Sequence, residues 1–288
     1  MNSLRTASSN ITLIQEVFWE AKSMLHKSSY EDAMGDFLKK VPADFISIAF
    51  EGMSMAIADE ALKQAVVSFD KWQVFLEQYG RIHGVQIFIG LGWALGQHQI
   101  NPSSYAHLFD KGLYWRVYDG LGYYEGLFKR RRIQQQIFSS FIDAASAGPY
   151  MQGIGRSLWY QTKADLSLLE ASIHAFSVKY HADLWRGIGL ASAYVGGLKF
   201  NTLHELSEMS GDYLTNLSAG AAMAYYSRFK ADTFNEANFD WCKIWNNQTI
   251  DELVSLMRRI EHQHYQCKVL DYHAWINSMD NLYELIMN

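Results

Sequence analysis

Apolar residues along this chain recur three and four positions apart, and no alternating apolar and polar run survives more than a few residues, so the pattern predicts helices rather than sheet. Leu113, Val117, Leu121 and Tyr124 keep that spacing. A longer period is superimposed on it. Six segments share a hydrophobic lead-in followed by small residues two apart: FEGMSMAIAD, FIGLGWALGQ, YDGLGYYEGL, MQGIGRSLWY, WRGIGLASAY and LSAGAAMAYY. Aligned on Gly52, Gly90, Gly120, Gly153, Gly187 and Ala219, they follow one another at 38, 30, 33, 34 and 32 residues, close to the period of tetratricopeptide-like helical hairpins. A glycine inside a helix costs about 1 kcal/mol relative to alanine, so paired glycines at this period imply close backbone approach between neighbouring helices. The expected fold class is all-α: a helical-hairpin repeat array, a tetratricopeptide-like solenoid or toroid, with terminal capping helices.

Start signals fall between the glycine segments, as a two-helix unit requires. Asn101-Pro102-Ser103-Ser104 reads as a cap with a first-turn proline, opening a short helix to about Gly112. Asp165 precedes another helix, and Asn201-Thr202 opens one that Gly211 closes. Pro42 and Pro149 mark the starts of the first and fourth glycine helices. Two amphipathic helices, Thr12 to Met24 and Tyr30 to Lys40, are expected to cap the array at its N-terminal end. Beyond Lys230 the repeat dissolves, and two further helices are expected. One runs from Thr249 to about Tyr265, the other from Asp271 to Met287 with Trp275, Leu282 and Leu285 on one side. No linker divides the chain, which reads as one domain over residues 1–288: cap helices 1–44, glycine-helix repeats 45–230 and a C-terminal cap 231–288.

Composition narrows the possibilities. Hydrophobic residues make up 49% and aromatic residues 15%, which excludes a disordered chain. Lys plus Arg number 25 against 30 Asp plus Glu, a net charge of −5 without the basic excess that nucleic acid demands. Cys242 and Cys267 are the only cysteines, too few for a disulfide framework or a four-cysteine zinc site, and a reducing cytoplasm is the expected setting. The start MNSLRTASSNITLIQEVF lacks the features of a signal peptide. The longest stretch free of Asp, Glu, Lys and Arg, Ile82 to Phe109, has an apolar centre too short to span about 30 Å of hydrocarbon, so no transmembrane segment is expected.

Candidate chemistry lies on the glycine helices. Counting from each anchor, positions −4, −1, +3 and +7 share one face. That face carries Gln86, Arg116 and Asp183, then Glu51, Asp119, Gln152 and Arg186, then Trp93, Tyr123 and Arg156, and finally Asp59, Gln97, Tyr160 and Tyr194. Arg116 with Asp119, and Asp183 with Arg186, have the spacing of plain surface ion pairs, yet such pairs would not need the interleaved aromatics. The stripe is taken as a binding groove. Asp119 and Glu125, six apart, are the acid or base candidates, although not as a pair within one helix. Arg156, followed by Trp159, suits a carboxylate or phosphate, or a structural clasp between helices. His83 and His98 read as capping or surface histidines, and Lys129 to Arg132 as cations at a helix C-terminus. His262, His264, Cys267 and His273 form the densest cluster of ligand types, but His262 and His264 do not share a helical face, and no metal site is assigned. No phosphate-binding loop, dinucleotide fingerprint or nucleophile elbow occurs, and no cofactor is expected.

GLGWALGQ (90–97), YDGLGYYEGLF (118–128), GIGRSLWY (153–160) and ADLWRGIGLASAYVGG (182–197) together resemble an uncharacterised family that recurs in enediyne polyketide biosynthetic clusters. The resemblance covers residues 45 to 200. Tyr124 stands where that family's motif carries His, and Gln97 where it often carries Arg. No catalytic residues transfer with it; what it implies is a pathway. The leading expectation is an accessory protein of secondary metabolism that binds a long hydrophobic polyene, free or attached to a carrier protein. The alternatives are a cofactor-independent cyclase or isomerase of a polyene or polyprenyl-like substrate, with Asp119 or Glu125 as proton donor, and a protein-interaction scaffold.

Overall fold

The computed structural model describes residues 5–24, 30–109, 113–234, 249–266 and 272–287, and every regular element among them is helical. The α-helices are α1 (Ala7–Ser23), α2 (Tyr30–Leu38), α3 (Ile46–Leu62), α4 (Asp70–His98), α5 (Trp115–Phe128), α6 (Arg130–Gln134), α7 (Ala144–Thr162), α8 (Leu166–His174), α9 (His181–Val195), α10 (Phe200–Ser210), α11 (Leu214–Lys230), α12 (Ile250–Gln266) and α13 (Tyr272–Met287). Local chemistry sets many of the starts. Thr6 caps α1, Asp143 and Ser146 form a reciprocal capping box on α7, and Asp165 caps α8. Asn101 caps a 3-10 stretch, Pro102–Leu108, where the sequence predicts a short helix, whose expected end at Gly112 lies outside the described residues. Gly211, at a positive φ of 50°, closes α10.

The helices α3, α4, α5, α7, α9 and α11 carry the glycine segments and pack on one another in chain order. Their contact is backbone against backbone. A Cβ placed on Gly90, Gly120, Gly153 or Gly187 would come within 3.0 Å of the carbonyl oxygen of Glu51, Ile89, Asp119 or Gln152, in each case the residue just before the preceding anchor. The glycine two residues on faces the other neighbour: Gly122 meets the Tyr150 carbonyl and Gly155 that of Leu184. Such approach replaces side-chain packing by Cα–H···O contact and main-chain dispersion, which offsets the poor helix propensity of glycine. In α3 the second position is Ser54, whose hydroxyl donates to the Ile87 carbonyl at 2.5 Å and accepts from Trp72 Nε1 at 2.7 Å.

This geometry corrects the sequence reading in four places. The sixth anchor is Gly220, which faces the Arg186 carbonyl, and not its neighbour Ala219. Pro149 lies well inside α7, which the Asp143 box starts earlier. The helix α4 runs unbroken through His83, so only its second half belongs to the glycine series. Finally, α1 does more than cover an end. The Phe18 carbonyl meets Gly52 in the manner of a preceding member, while Ala7 N donates to the Gly197 carbonyl at 3.0 Å and Asn10 Nδ2 to that of Val195 at 2.9 Å, so α1 touches both α3 and α9. The helices α12 and α13 pack on α11, and α13 also on α7. Trp275 is buried; the side chains of Leu282 and Leu285 lie outside the described residues. One hydrophobic cluster extends from Ala7 to Met279.

Gly120→Leu and Gly187→Leu are each expected to abolish folding, because the side chain has only main chain to displace. Gly153→Ala should cost about 2–4 kcal/mol in urea denaturation followed by circular dichroism. Gly35→Ala, at a helical position with open space around it, should be neutral or stabilising by up to about 1 kcal/mol. Equal effects at Gly35 and Gly153 would refute the close-approach argument.

Candidate functional site

The helices α3, α4, α5, α7 and α9 are each held through glycine contacts by a neighbour on either flank, and their free faces line common space. Two cavities lie there. The larger, about 620 Å³, is bounded by Ile14, Phe18 and Trp19 of α1 together with Ile48, Glu51, Trp93, Tyr123, Leu127, Phe128, Arg156 and Tyr160. The smaller, about 50 Å³, has Gln86, Trp115, Arg116, Asp119, Gln152 and Tyr194 in its walls, with Ser227 and Lys230 of α11, Met257 of α12 and Trp275 of α13. Ile48, Glu51, Arg156 and Tyr160 line both, so these four side chains stand between the two spaces.

A buried polar network is built around Asp119, which accepts from Gln152 Nε2 at 2.6 Å and from Arg156 Nη1. The Arg156 guanidinium lies 4.5 Å from the centre of the Tyr123 ring, and its Nε has no hydrogen-bond partner. Burial works against the Arg156 cation, but the charges of Asp119 and Glu51 outweigh it and hold the group firmly protonated. Behind this layer the Tyr272 hydroxyl joins Arg186 at 3.2 Å, Asp183 at 3.2 Å and Gln152 at 3.3 Å, while Arg186 and Asp183 pair at 2.5 Å. Glu51 differs from every other acid here. It is 2% exposed and forms no ion pair, and burial, reinforced by the Asp119 charge, pushes its carboxyl up to about 7 against the pull of Arg156 and the Trp93 indole N–H. Burial likewise drives the Tyr123, Tyr160 and Tyr194 hydroxyls upward, so they stand neutral as donors at physiological pH.

The residues expected to share a stripe are mostly brought together. Gln86, Arg116, Asp119, Gln152, Arg156, Tyr160 and Tyr194 meet at the smaller cavity, and Trp93, Tyr123, Arg156 and Tyr160 at the larger; Asp183 and Arg186 support the first group through Tyr272. Of the candidates, four stand elsewhere: Asp59, Gln97, Glu125 and Trp159. Trp159, six residues past its anchor, turns away from the cavities into the core and is fully buried. Gln97, at the end of α4, donates to Asp59 at 2.8 Å and accepts from Lys22 at 3.3 Å. Glu125 is held by Lys129 at 2.6 Å, Ser139 at 2.8 Å and Tyr150, outside both cavities. His83 is neither cap nor surface residue: it is buried, stacks on Phe50 at 3.9 Å and bonds Ser47 at 3.0 Å, and burial drives its imidazole down to about 4. His98 pairs with Asp59 at 2.7 Å. Among the described residues no three His, Cys, Asp or Glu side chains cluster to hold a metal ion; Cys242, Cys267 and the side chain of His264 lie outside them. No described helix is long and apolar enough to cross a membrane.

The family described as Protein of unknown function (DUF1702) matches residues 4–282. The chain belongs to this family. No curated protein and no solved structure matches it. For this DUF1702 member the interior therefore has to be read from its own geometry, which sets Glu51 beside Asp119 in the wall of the smaller cavity and leaves Glu125 outside both cavities. The register of Glu51, one before an anchor like Asp119, was the available signal. Nothing comparable marks Phe18 and Trp19, because α1 carries no glycine pair.

A carboxyl raised from its unfolded value to about 7 keeps its proton in the folded state after the unfolded chain has lost it. Glu51 thus makes stability fall as pH rises from about 4.5 to 7. Glu51→Gln, which removes this liability, is expected to gain up to about 3 kcal/mol on the wild type between pH 4.5 and pH 8. Chemical denaturation of both proteins at the two pH values checks this, and a pH-independent difference would contradict it.

Proposed function

We propose that the protein binds a long hydrophobic small molecule of polyketide or polyene type, as an accessory factor of secondary-metabolite biosynthesis. The observation that carries this reading is the 620 Å³ cavity with its wall of rings. Phe18, Trp93 and Tyr123 pack edge to face or tilted around it, at centroid distances of 4.5 and 4.8 Å. Its size matches that of small-molecule sites, and flat conjugated chains gain dispersion against such faces. Trp19 and Phe128, 41% and 52% exposed, line it and reach solvent, which gives a chain, free or tethered to a carrier protein, a way in. The resemblance of the four glycine motifs to a family of enediyne polyketide clusters supplies the pathway. The reading takes the glycine helices as a helical-hairpin repeat array, solenoid or toroid, with its inner face turned to the ligand.

A second reading, a cofactor-independent cyclase or isomerase, is favoured by Glu51 inside the same wall. Asp119 is a poorer donor because Arg156 and Gln152 already engage it. The scaffold reading calls for an open groove of accessible arginines, and Arg156 and Arg186 are 6% and 2% exposed.

The neutral fluorescent polyene 1,6-diphenylhexatriene should bind the purified chain saturably at one site, with a dissociation constant at or below about 10 μM. Leu127→Trp, which fills the cavity from its wall, should weaken binding about tenfold or more with the melting temperature retained. Non-saturable fluorescence, or equal affinity in the variant, would overturn the reading.

A further inference from the structure

We infer that the cavity takes an apolar chain bearing a carbonyl group, its oxygen seated on Arg156 and an adjacent carbon facing Glu51, and that the protein moves a proton along that chain. The inference rests on the binding reading above and adds to it the functional group and the reaction.

It starts from two opposite charges that share a wall without meeting. Glu51 and Arg156 both line both cavities and both are more than nine-tenths buried, yet no ion pair joins them. Arg156 spends Nη1 on Asp119, and although its unpartnered Nε is sealed from both spaces, the guanidinium side chain lines the two cavities. A pure hydrocarbon in this space would leave the cavity edge of that cationic donor without an acceptor and the carboxyl of Glu51 desolvated, both costly. An oxygen on the ligand answers the donor. A carboxylate is the wrong oxygen: Asp119 already balances Arg156, and Glu51 adds a second acid, so a third would be repelled. A neutral carbonyl fits, with the neutral Tyr160 hydroxyl in the same wall.

The chemistry follows from that seating. Glu51, as carboxylate, takes a proton from the carbon beside the carbonyl; the C–H bond breaks, an O–H bond forms on Glu51, and the electron pair moves into an enolate whose oxygen Arg156 holds. With a double bond one carbon further along, the anion is a dienolate. Glu51 then returns the proton to the far carbon, breaking its O–H bond and forming a new C–H bond. The double bond has moved into conjugation with the carbonyl, with atoms and electrons balanced and no oxidant or reductant consumed. A carboxyl poised near neutrality suits both halves of this exchange.

Dodec-4-en-2-one in heavy water at pH 7.5 tests the inference. Growth of the conjugated-enone absorbance and deuterium entering the chain by mass spectrometry are read with the wild type, Glu51→Gln and Arg156→Lys, and diphenylhexatriene binding is measured on each. The expected result is a wild-type rate about a hundredfold or more above buffer, lost in Glu51→Gln and cut about tenfold or more in Arg156→Lys, with the polyene still bound. Where Arg156→Lys does not fold, Glu51→Gln decides alone. A wild type that binds the polyene but reacts no faster than buffer, or a Glu51→Gln variant as fast as wild type, overturns the inference and leaves the binding reading standing. A wild type that does not bind the polyene sinks both.

Discussion

Contact between the main chains of neighbouring helices, made possible where a side chain is missing, is the constraint on which the rest of the molecule depends. Each anchor glycine sits on the carbonyl just before the preceding anchor, and each second glycine on a carbonyl of the following helix. Side-chain packing tolerates sliding by a rotamer change; a Cα pressed onto a carbonyl does not. The register between helices is therefore fixed from α3 to α11, and with it the direction in which every −1 and +3 side chain points. That is why charged and aromatic residues far apart in sequence, such as Glu51 and Arg156, line one interior.

An interior of this kind is electrostatically expensive, and the way its charges are arranged is informative. Asp119 pairs with Arg156 and Asp183 with Arg186; Gln152 further bonds Asp119, Tyr272 bonds Asp183 and Arg186, and the Tyr123 ring lies against Arg156. Arg228, buried at the end of α11, donates to the carbonyls of Tyr194, Asp44 and Thr233 and lies 4.4 Å from the Tyr194 ring. These groups fasten elements together. Glu51 forms no ion pair, which separates it from the acids whose burial is explained by their counterions.

The glycine series was legible in the sequence because the demand for no side chain is absolute and recurs at a readable period. Its last member was not: Ala219 and Gly220 are adjacent and both small, and only the position of Leu217, whose carbonyl lies against Gly189, shows which one keeps register. The inward stripe followed from helical geometry and reached most of the cavity. Glu125 and Trp159 misled because aromatic company in a motif says nothing about phase; Lys129, one turn after Glu125, was the better clue to an intrahelical pair. What α1 contributes was hidden for a different reason. It meets Gly52 through a carbonyl, and a carbonyl belongs to every residue alike.

The same backbone contacts bear on how the polar groups of the larger cavity are held. Arg156 belongs to a closely held stretch of backbone: Gly153 lies on Asp119, Gly155 on Leu184, and Gly187 against the amide of Arg156 itself. A guanidinium mounted there is oriented before any ligand arrives, which is the condition for a donor to favour charge that develops on a ligand atom rather than to rearrange around it. The helix α1, which has a single glycine contact at Gly52 and is tied at its start by Ala7 and Asn10, adds to the wall both the apolar Ile14, Phe18 and Trp19 and the polar Thr12, Gln15 and Glu16. The buried ion pair of Arg156 thus sits where the backbone is fixed by contact, while the rings come from both sides, Phe18 and Trp19 from α1 and Trp93, Tyr123 and Tyr160 from the glycine helices. A buried charge such as Arg156 mounted instead on α1 would have fewer main-chain contacts to hold its partners to hydrogen-bonding geometry.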